Sequence, residues 1–203
     1  MKFSLTADQK CFFEKQQFIE FEGLISESQL AILQRCKGIG RDISRENMEM
    51  QKIVRSSLFA KIAKELCGER VLRLGFDELY ELPLTLPCSM TLFERSSIAP
   101  LVCAVMIAIE GDEDALATTP PQEGQFDPFP MKKGNVLFFL PNLLWEKELL
   151  QARAKQKCLL IAYANPRALY IFQEKDPHVH LLKRLGYVFG DRLKETIHPT
   201  LGR

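Results

Sequence analysis

Three histidines are the chain's entire supply of imidazole: His178, His180 and His198. His178-Val179-His180 would clamp a metal ion if it lay on a strand, where residues i and i+2 share a side. At a helix start the two rings diverge. Asp176-Pro177 precedes the pair and reads as a helix N-terminus, with Asp176 as cap and Pro177 in the first turn. The expectation is therefore a surface or capping role for both rings. Glu110-Gly111-Asp112-Glu113-Asp114 offers carboxylates without the spacing of a calcium loop, and reads as solvated. Lys132-Lys133 and Lys155-Gln156-Lys157 are two short basic runs that can form a basic edge for an acidic ligand or remain a solvated face. Six cysteines stand at 11, 36, 67, 88, 103 and 158. They form no Cys-x-x-Cys pair and mostly occupy apolar segments, which implies buried free thiols in a reducing cytosol. No nucleophile elbow, phosphate loop or dinucleotide fingerprint is present.

The elements that must position these residues change character along the chain. Thr6 to Gln17 reads as a helix capped by Thr6. Phe18-Ile19-Glu20-Phe21-Glu22 alternates apolar and acidic, the pattern of a half-buried strand. Ser26 and Gln29 form a capping box for a helix that Gly38 stops. Arg45 to Arg55 and Leu58 to Cys67 are further helices, the second closed by a left-handed Gly68. From Val71 onward the signals are short strands: 71–74, 89–93, 101–109, 136–140, 158–164 and 168–172. Leu101 to Ile109 is apolar throughout, as suits a strand buried on both faces. Residues 111–130 read as a long loop and 178–193 as a partly helical tail. Helices followed by strands predict an α+β protein with a β-sandwich or barrel body. We expect one domain over 1–203: a mainly helical part (1–70), a β-rich body (71–172) and a C-terminal helical tail (173–203).

Lys132-Lys133-Gly134-Asn135-Val136-Leu137-Phe138-Phe139-Leu140-Pro141-Asn142 is a turn feeding an apolar strand. Leu143-Leu144-Trp145-Glu146 follows, then a strand with a basic entrance, Lys155-Gln156-Lys157-Cys158-Leu159-Leu160-Ile161-Ala162-Tyr163. This order resembles the second half of the phytanoyl-CoA dioxygenase-like family of Fe(II)- and 2-oxoglutarate-dependent oxygenases. The opening Phe18-Ile19-Glu20-Phe21-Glu22-Gly23-Leu24-Ile25-Ser26 is similar to that family's start. The resemblance implies a double-stranded β-helix, a jelly-roll or cupin-like fold, with the N-terminal helices packed on one face.

The family holds iron through two histidines and a carboxylate, leaving sites open for oxygen and cosubstrate. Where the resemblance asks for the first pair, this chain has Leu92-Phe93-Glu94, so that Leu92 and Glu94 take those places. Trp145 stands where the second histidine belongs. It either fills the space a metal and cosubstrate would take or is simply core. The cosubstrate arginine falls on Gln156 or Lys157. Lys157 is the candidate for pairing with a carboxylate, although it lacks the guanidinium fork. The resemblance thus implies the fold without an intact metal triad: no catalytic residue, no metal ligand set and no cofactor, in a protein that binds a small molecule or another protein. The alternative is an active dioxygenase using Fe(II) and 2-oxoglutarate through relocated ligands, which requires His178 and His180 to reach the cleft.

Lys plus Arg number 27 against 26 Asp plus Glu, a formal charge of +1. Such a balance gives no global field toward nucleic acid or an anionic membrane, although a local basic patch is compatible with it. No apolar run reaches the roughly 18 residues of a spanning helix, and charges interrupt the N-terminus where a signal peptide needs apolar residues. A cytoplasmic location is expected, with neither nucleic acid nor membrane as partner.

Overall fold

A computed structural model describes residues 3–111, 126–129, 132–152 and 155–201. The N-terminal elements alternate helix and strand: α1 (Ala7–Gln16), β1 (Phe18–Phe21), α2 (Glu27–Arg35), β2 (Gly40–Arg41), a 3-10 turn (Ile43–Arg45), α3 (Met48–Val54) and α4 (Ser57–Cys67). The body follows as β3 (Leu72–Leu82), β4 (Met90–Thr91), β5 (Ile98–Gly111), β6 (Val136–Phe139), β7 (Leu144–Trp145), α5 (Lys147–Gln151) and β8 (Gln156–Tyr170). A 3-10 turn (Leu181–Leu185) and β9 (Thr200–Leu201) close the chain.

The helix starts are fixed by side chains. Thr6 and Ser26 both build the reciprocal box, each accepting from the N3 amide while Gln9 and Gln29 return to the cap amide. Asn47 accepts from the amides of Glu49 and Met50, both at 3.0 Å. Gly68, at φ 68°, closes α4 and donates to the Lys64 carbonyl. α2 ends earlier than its glycine suggests: Cys36, in extended conformation, is the cap, and Gly38 lies in the loop beyond.

Seven strands form one sheet in the order β1-β6-β5-β8-β3-β2, with β9 beside β3. β4 and β7 form a second, two-stranded sheet. Every pairing is antiparallel. The expectation of antiparallel layers with helices against one face is met, although the strand expected at 71–74 runs on to Leu82 as β3, and with three further differences. The first part of the chain is not only helical, because β1 and β2 supply strands at opposite ends of the large sheet. The two strands expected at 158–164 and 168–172 are one, β8, which runs through Asn165-Pro166-Arg167. Its pairing with β5 shifts register near Ala99, Leu101 and Cys103, and so absorbs the proline. The tail is built from turns and a 3-10 segment rather than an α-helix, with Gly186 and Gly190 at φ 77° and 97°.

The pleat splits the core into two layers. On the outer face, Leu72, Leu74, Leu79, Val105, Ile107, Val136, Phe138, Leu159, Ile161 and Tyr163 pack against Phe13, Leu33, Met50, Ile53, Phe59 and Ile62 of the helices. The inner face carries Phe76, Tyr80, Ala104, Met106, Leu137, Phe139, Cys158, Leu160 and Ala162. It is covered by Met90, Leu92, Phe126, Phe129 and Trp145, and by Leu182, Tyr187 and Leu193 of the tail. β5 is apolar on both sides because both sides are covered, as its sequence predicted.

The tail is tied down by the one fully buried histidine. The His198 ring lies against the carbonyls of Gly75 (2.7 Å) and Leu74 (3.2 Å) through Nδ1. Carbonyls only accept, so Nδ1 carries the proton. Nε2 has no partner among the described residues. Burial, and then the nearby Arg45 charge, hold this imidazole down to about 4. In the unfolded chain it titrates near 6.5. Below that pH the unfolded state takes up the proton that the fold refuses. Stability present above pH 6.5 is therefore lost as pH falls toward 4, on the order of 3 kcal/mol for this group. We expect urea midpoints of the wild type to drop across that window, and those of His198→Gln to drop less. Parallel profiles for the two proteins would contradict this.

Candidate functional site

Of the positions singled out in the sequence, Leu92 and Trp145 lie on the inner face between the large sheet and the β4–β7 pair. β4 and β7 bring their segments together: Met90 pairs with Trp145 and Thr91 with Leu144. Leu92 and Trp145 are both 0% exposed. The indole lies between three aromatic rings, with centroids 5.7 Å from Phe129, 6.1 Å from Tyr80 and 6.2 Å from Phe139. Its Nε1 finds no acceptor among the described residues. The packing makes Trp145 part of the core of the inner layer.

Glu94 lies on the same segment but faces away from the indole. Its Oε2 accepts from the Thr91 amide (2.9 Å) and hydroxyl (3.2 Å), and Glu94 N donates back to that hydroxyl. Its Oε1 meets the Lys175 ammonium at 2.6 Å on the surface. The Lys175 contact, then the Thr91 amide, pull this carboxyl below its ordinary range. A leucine, a tryptophan and a carboxylate already engaged in a turn do not fit an open iron site, which needs imidazole and carboxylate lone pairs converging on one point. Among the described residues no group of three His, Cys, Asp or Glu side chains is placed to hold a metal.

β8 separates the two cosubstrate candidates. Lys157 shares its parity with Leu159, Ile161 and Tyr163, and so points to the helix side, where its Nζ donates to the Cys36 carbonyl at the end of α2. Gln156 shares its parity with Cys158 and Leu160 on the inner face, opposite Leu82 and Gly111. It is 3% exposed and lies across the space a Cβ at Gly111 would meet. With Glu81, Glu110, Gly111 and Lys155, the two residues line an open cleft of about 620 Å³ at the sheet's end. The other basic run is elsewhere: Lys132 pairs loosely with Glu22 (3.7 Å), and Lys133 lines a surface cleft beside α2. Glu110 and Gly111 end β5, while Asp112, Glu113 and Asp114 lie outside the described residues.

The inner face also holds a charged cluster that the sequence did not announce. Glu78, on β3, is 3% exposed at its side chain. Arg41 of β2 reaches it at 3.0 Å, Arg95 at 3.1 Å, and His178 Nε2 stands 3.5 Å away. Arg41 also forks onto both oxygens of Asp176, each at 2.9 Å, donates to the Arg95 carbonyl and lies over the Phe76 ring. Asp176 accepts from the amides of Ser97 (2.7 Å) and His178 (2.8 Å). Arg95 adds a bond to the Tyr80 hydroxyl at 3.3 Å. Burial opposes ionisation of Glu78, but Arg41, His178 and Arg95 outweigh it and hold the carboxyl far below its usual range. Burial likewise opposes the Arg41 charge, and Glu78 with Asp176 outweighs it. Two guanidiniums meet two carboxylates, and the charges close on themselves. A void of about 10 Å³ remains beside Asp176 and His178, room for one water.

The two candidate histidines part company in the tail. His178 enters this cluster, whereas His180 lies on the tail surface with its ring 6.3 Å from Phe189. Asp176 caps, as expected, but it caps a turn bound to the sheet rather than an α-helix. Among the described residues no helix is long and apolar enough to cross a membrane. None of the six cysteines forms a disulfide among the described residues; Cys36, Cys103 and Cys158 are buried and Cys11 and Cys88 exposed.

Comparison with protein families and with curated sequences gives no match. Comparison with solved structures does. The chain is similar to SnoK, a non-heme α-ketoglutarate-dependent carbocyclase from nogalamycin biosynthesis, with a TM-score of 0.70 at 14% identity over 97% of this chain and 96% of that one. EctD from S. alaskensis, solved with bound Fe, matches with a TM-score of 0.62 at 15% identity over 94% and 87%. HygX from Streptomyces hygroscopicus, solved with nickel and 2-oxoglutarate, matches with 0.53 at 13% over 93% and 98%. At these identities the likeness is one of fold: a helix-backed antiparallel sheet of the cupin-like kind shared by non-heme 2-oxoglutarate-dependent enzymes.

Proposed function

We propose that this chain is a non-catalytic relative of the phytanoyl-CoA dioxygenase-like oxygenases, a double-stranded β-helix without the family's iron site that serves as a binding or interaction protein. The observation that carries the reading is Trp145. It stands where the resemblance asks for a histidine, is fully buried, and packs on Tyr80, Phe129 and Phe139. An indole nitrogen bears a proton and offers a metal no lone pair. Leu92 removes the other imidazole, and Glu94 is committed to Thr91 and Lys175. On the cosubstrate side, Lys157 faces the helices and the neutral Gln156 faces inward. The alternative, relocated ligands at His178 and His180, is disfavoured because the first ring is held at Glu78 and the second lies beside Phe189.

Turnover tests this reading. Wild-type protein with Fe(II), ascorbate and 2-oxoglutarate is expected to release no succinate above the protein-free rate. Trp145→His is expected to release none either, because the first imidazole is still missing. Fe(II)-dependent succinate release that disappears in His178→Ala would overturn the reading and favour the relocated site.

A further inference from the structure

The tail presents a surface that the site above does not use. Leu185, Val188 and Phe189 are 38%, 66% and 37% exposed, and Phe172 beside them is 61% exposed. Phe189 is the hub: its ring lies 4.7 Å from Tyr170 and 5.6 Å from Phe172, with the Lys183 ammonium over it at 4.6 Å. The fold fixes this presentation. Tyr187 is buried to 3% exposure, and its hydroxyl accepts from the Lys194 amide at 2.7 Å. Gly190 N donates to the Tyr170 carbonyl at 2.7 Å, and Val188 N to Asp191 Oδ2 at 2.9 Å. Anchored on both sides, the turn turns Leu185, Val188 and Phe189 outward. Holding several large apolar groups in water on a hydrogen-bonded turn marks an interaction surface.

Charge selects the partner. Residues 172–194 contain five cations, Lys175, Lys183, Arg184, Arg192 and Lys194, and three acids, Glu174, Asp176 and Asp191, giving +2 within a chain of net +1; Asp176 is buried on Arg41 and Lys175 pairs with Glu94. Lys183, Arg184 and Arg192 are exposed, and no carboxylate of the described residues pairs with them. Charge complementarity favours an anionic partner. The apolar groups stand outward from a turn, and the clefts described above do not include them. A bound peptide needs a groove or a free strand edge, whereas a lipid interface accepts protruding apolar side chains between cations that meet the headgroups.

We propose that the 172–194 surface docks onto anionic lipid bilayers, with Val188, Phe189 and Phe172 entering the interface and Lys183, Arg184 and Arg192 meeting the headgroup phosphates. This departs from the expectation of no membrane partner, which rested on a net charge that averages a basic tail with a slightly acidic remainder. It is independent of the iron question.

Vesicle co-sedimentation of the full chain tests the proposal, with phosphatidylcholine alone and with phosphatidylcholine carrying about 30% phosphatidylserine, a strongly anionic surface. Binding is expected to the second only, and to be lost at high salt. Val188→Ser and Lys183→Glu are each expected to lower the partition about fivefold, with thermal unfolding unchanged. No binding to the anionic vesicles would overturn the proposal. So would binding that neither variant weakens, or binding of a soluble Glu- and Leu-containing peptide with none to vesicles.

Discussion

Glu78→Ala is expected to lower the unfolding free energy by about 3–5 kcal/mol, the cost of breaking a buried ion pair from one side. Glu78 is the carboxylate that Arg41 and Arg95 share, and Arg41 is 6% exposed at its side chain. Removing it leaves Arg41 with Asp176 and Arg95 with the Tyr80 hydroxyl, both guanidiniums being nearly closed to solvent. The damage reaches beyond β3, because the cluster joins the edge strand β2, the sheet, the segment after β4 and the tail. Glu78→Gln keeps the shape but not the charge, and should cost less than alanine while still destabilising. Urea unfolding followed by circular dichroism measures both; a loss under about 1 kcal/mol, the range of an exposed pair, would show that the cluster is not structural. The carboxyl is held below its ordinary range, so its contribution is present above the unfolded carboxylate pKa. It is lost as pH falls through the lower folded value. This adds to the acid sensitivity of His198 at the lower end of that window.

Trp145→Ala is expected to cost about 3–5 kcal/mol, the range for deleting a buried large aromatic side chain. The indole is fully buried and touches Tyr80, Phe129 and Phe139, so its loss opens a cavity between two sheets rather than a surface dent. Trp145→Phe should recover much of the loss, since the edge-to-face contacts survive in part. Under the opposite account, in which the inner face is a site that accommodates ligand, shrinking residue 145 would enlarge a pocket at little cost. A urea midpoint for Trp145→Ala within error of the wild type would support that account and remove the packing argument.

The apolar elements were legible in the sequence because their patterns have one solution. The Thr6 cap, the Ser26 box, the Gly68 cap and the uninterrupted apolar run of β5 each call for the structure that is found. β3 was not legible. It reads as a strand only to Leu74, because Gly75, Asp77 and Glu78 look like the start of a loop. The strand continues because both acids find distant partners, Asp77 the amide and hydroxyl of Ser44 and Glu78 the guanidiniums of Arg41 and Arg95. Partners 33, 37 and 17 residues away leave no local pattern. The signal that was there is the alternation of Leu72, Leu74, Phe76, Tyr80 and Leu82 around the acids: two carboxylates inside an apolar strand demand buried partners. The choice between Gln156 and Lys157 needed parity, which β8 supplies only once its register against β3 and β5 is known. The place of Trp145 in the core of the inner layer depends on rings from β3, β6 and residue 129, which no local pattern announces.

The proposed function rests on an aromatic core standing where the resemblance asks for metal ligands. Anaerobic calorimetric titration of the wild-type protein with Fe(II), and with Mn(II) as a non-oxidisable substitute, each with and without 2-oxoglutarate, tests it most directly. The account predicts no saturable heat for either metal and none for 2-oxoglutarate in the presence of metal. Stoichiometric metal binding tightened by 2-oxoglutarate and abolished in His178→Ala would contradict it.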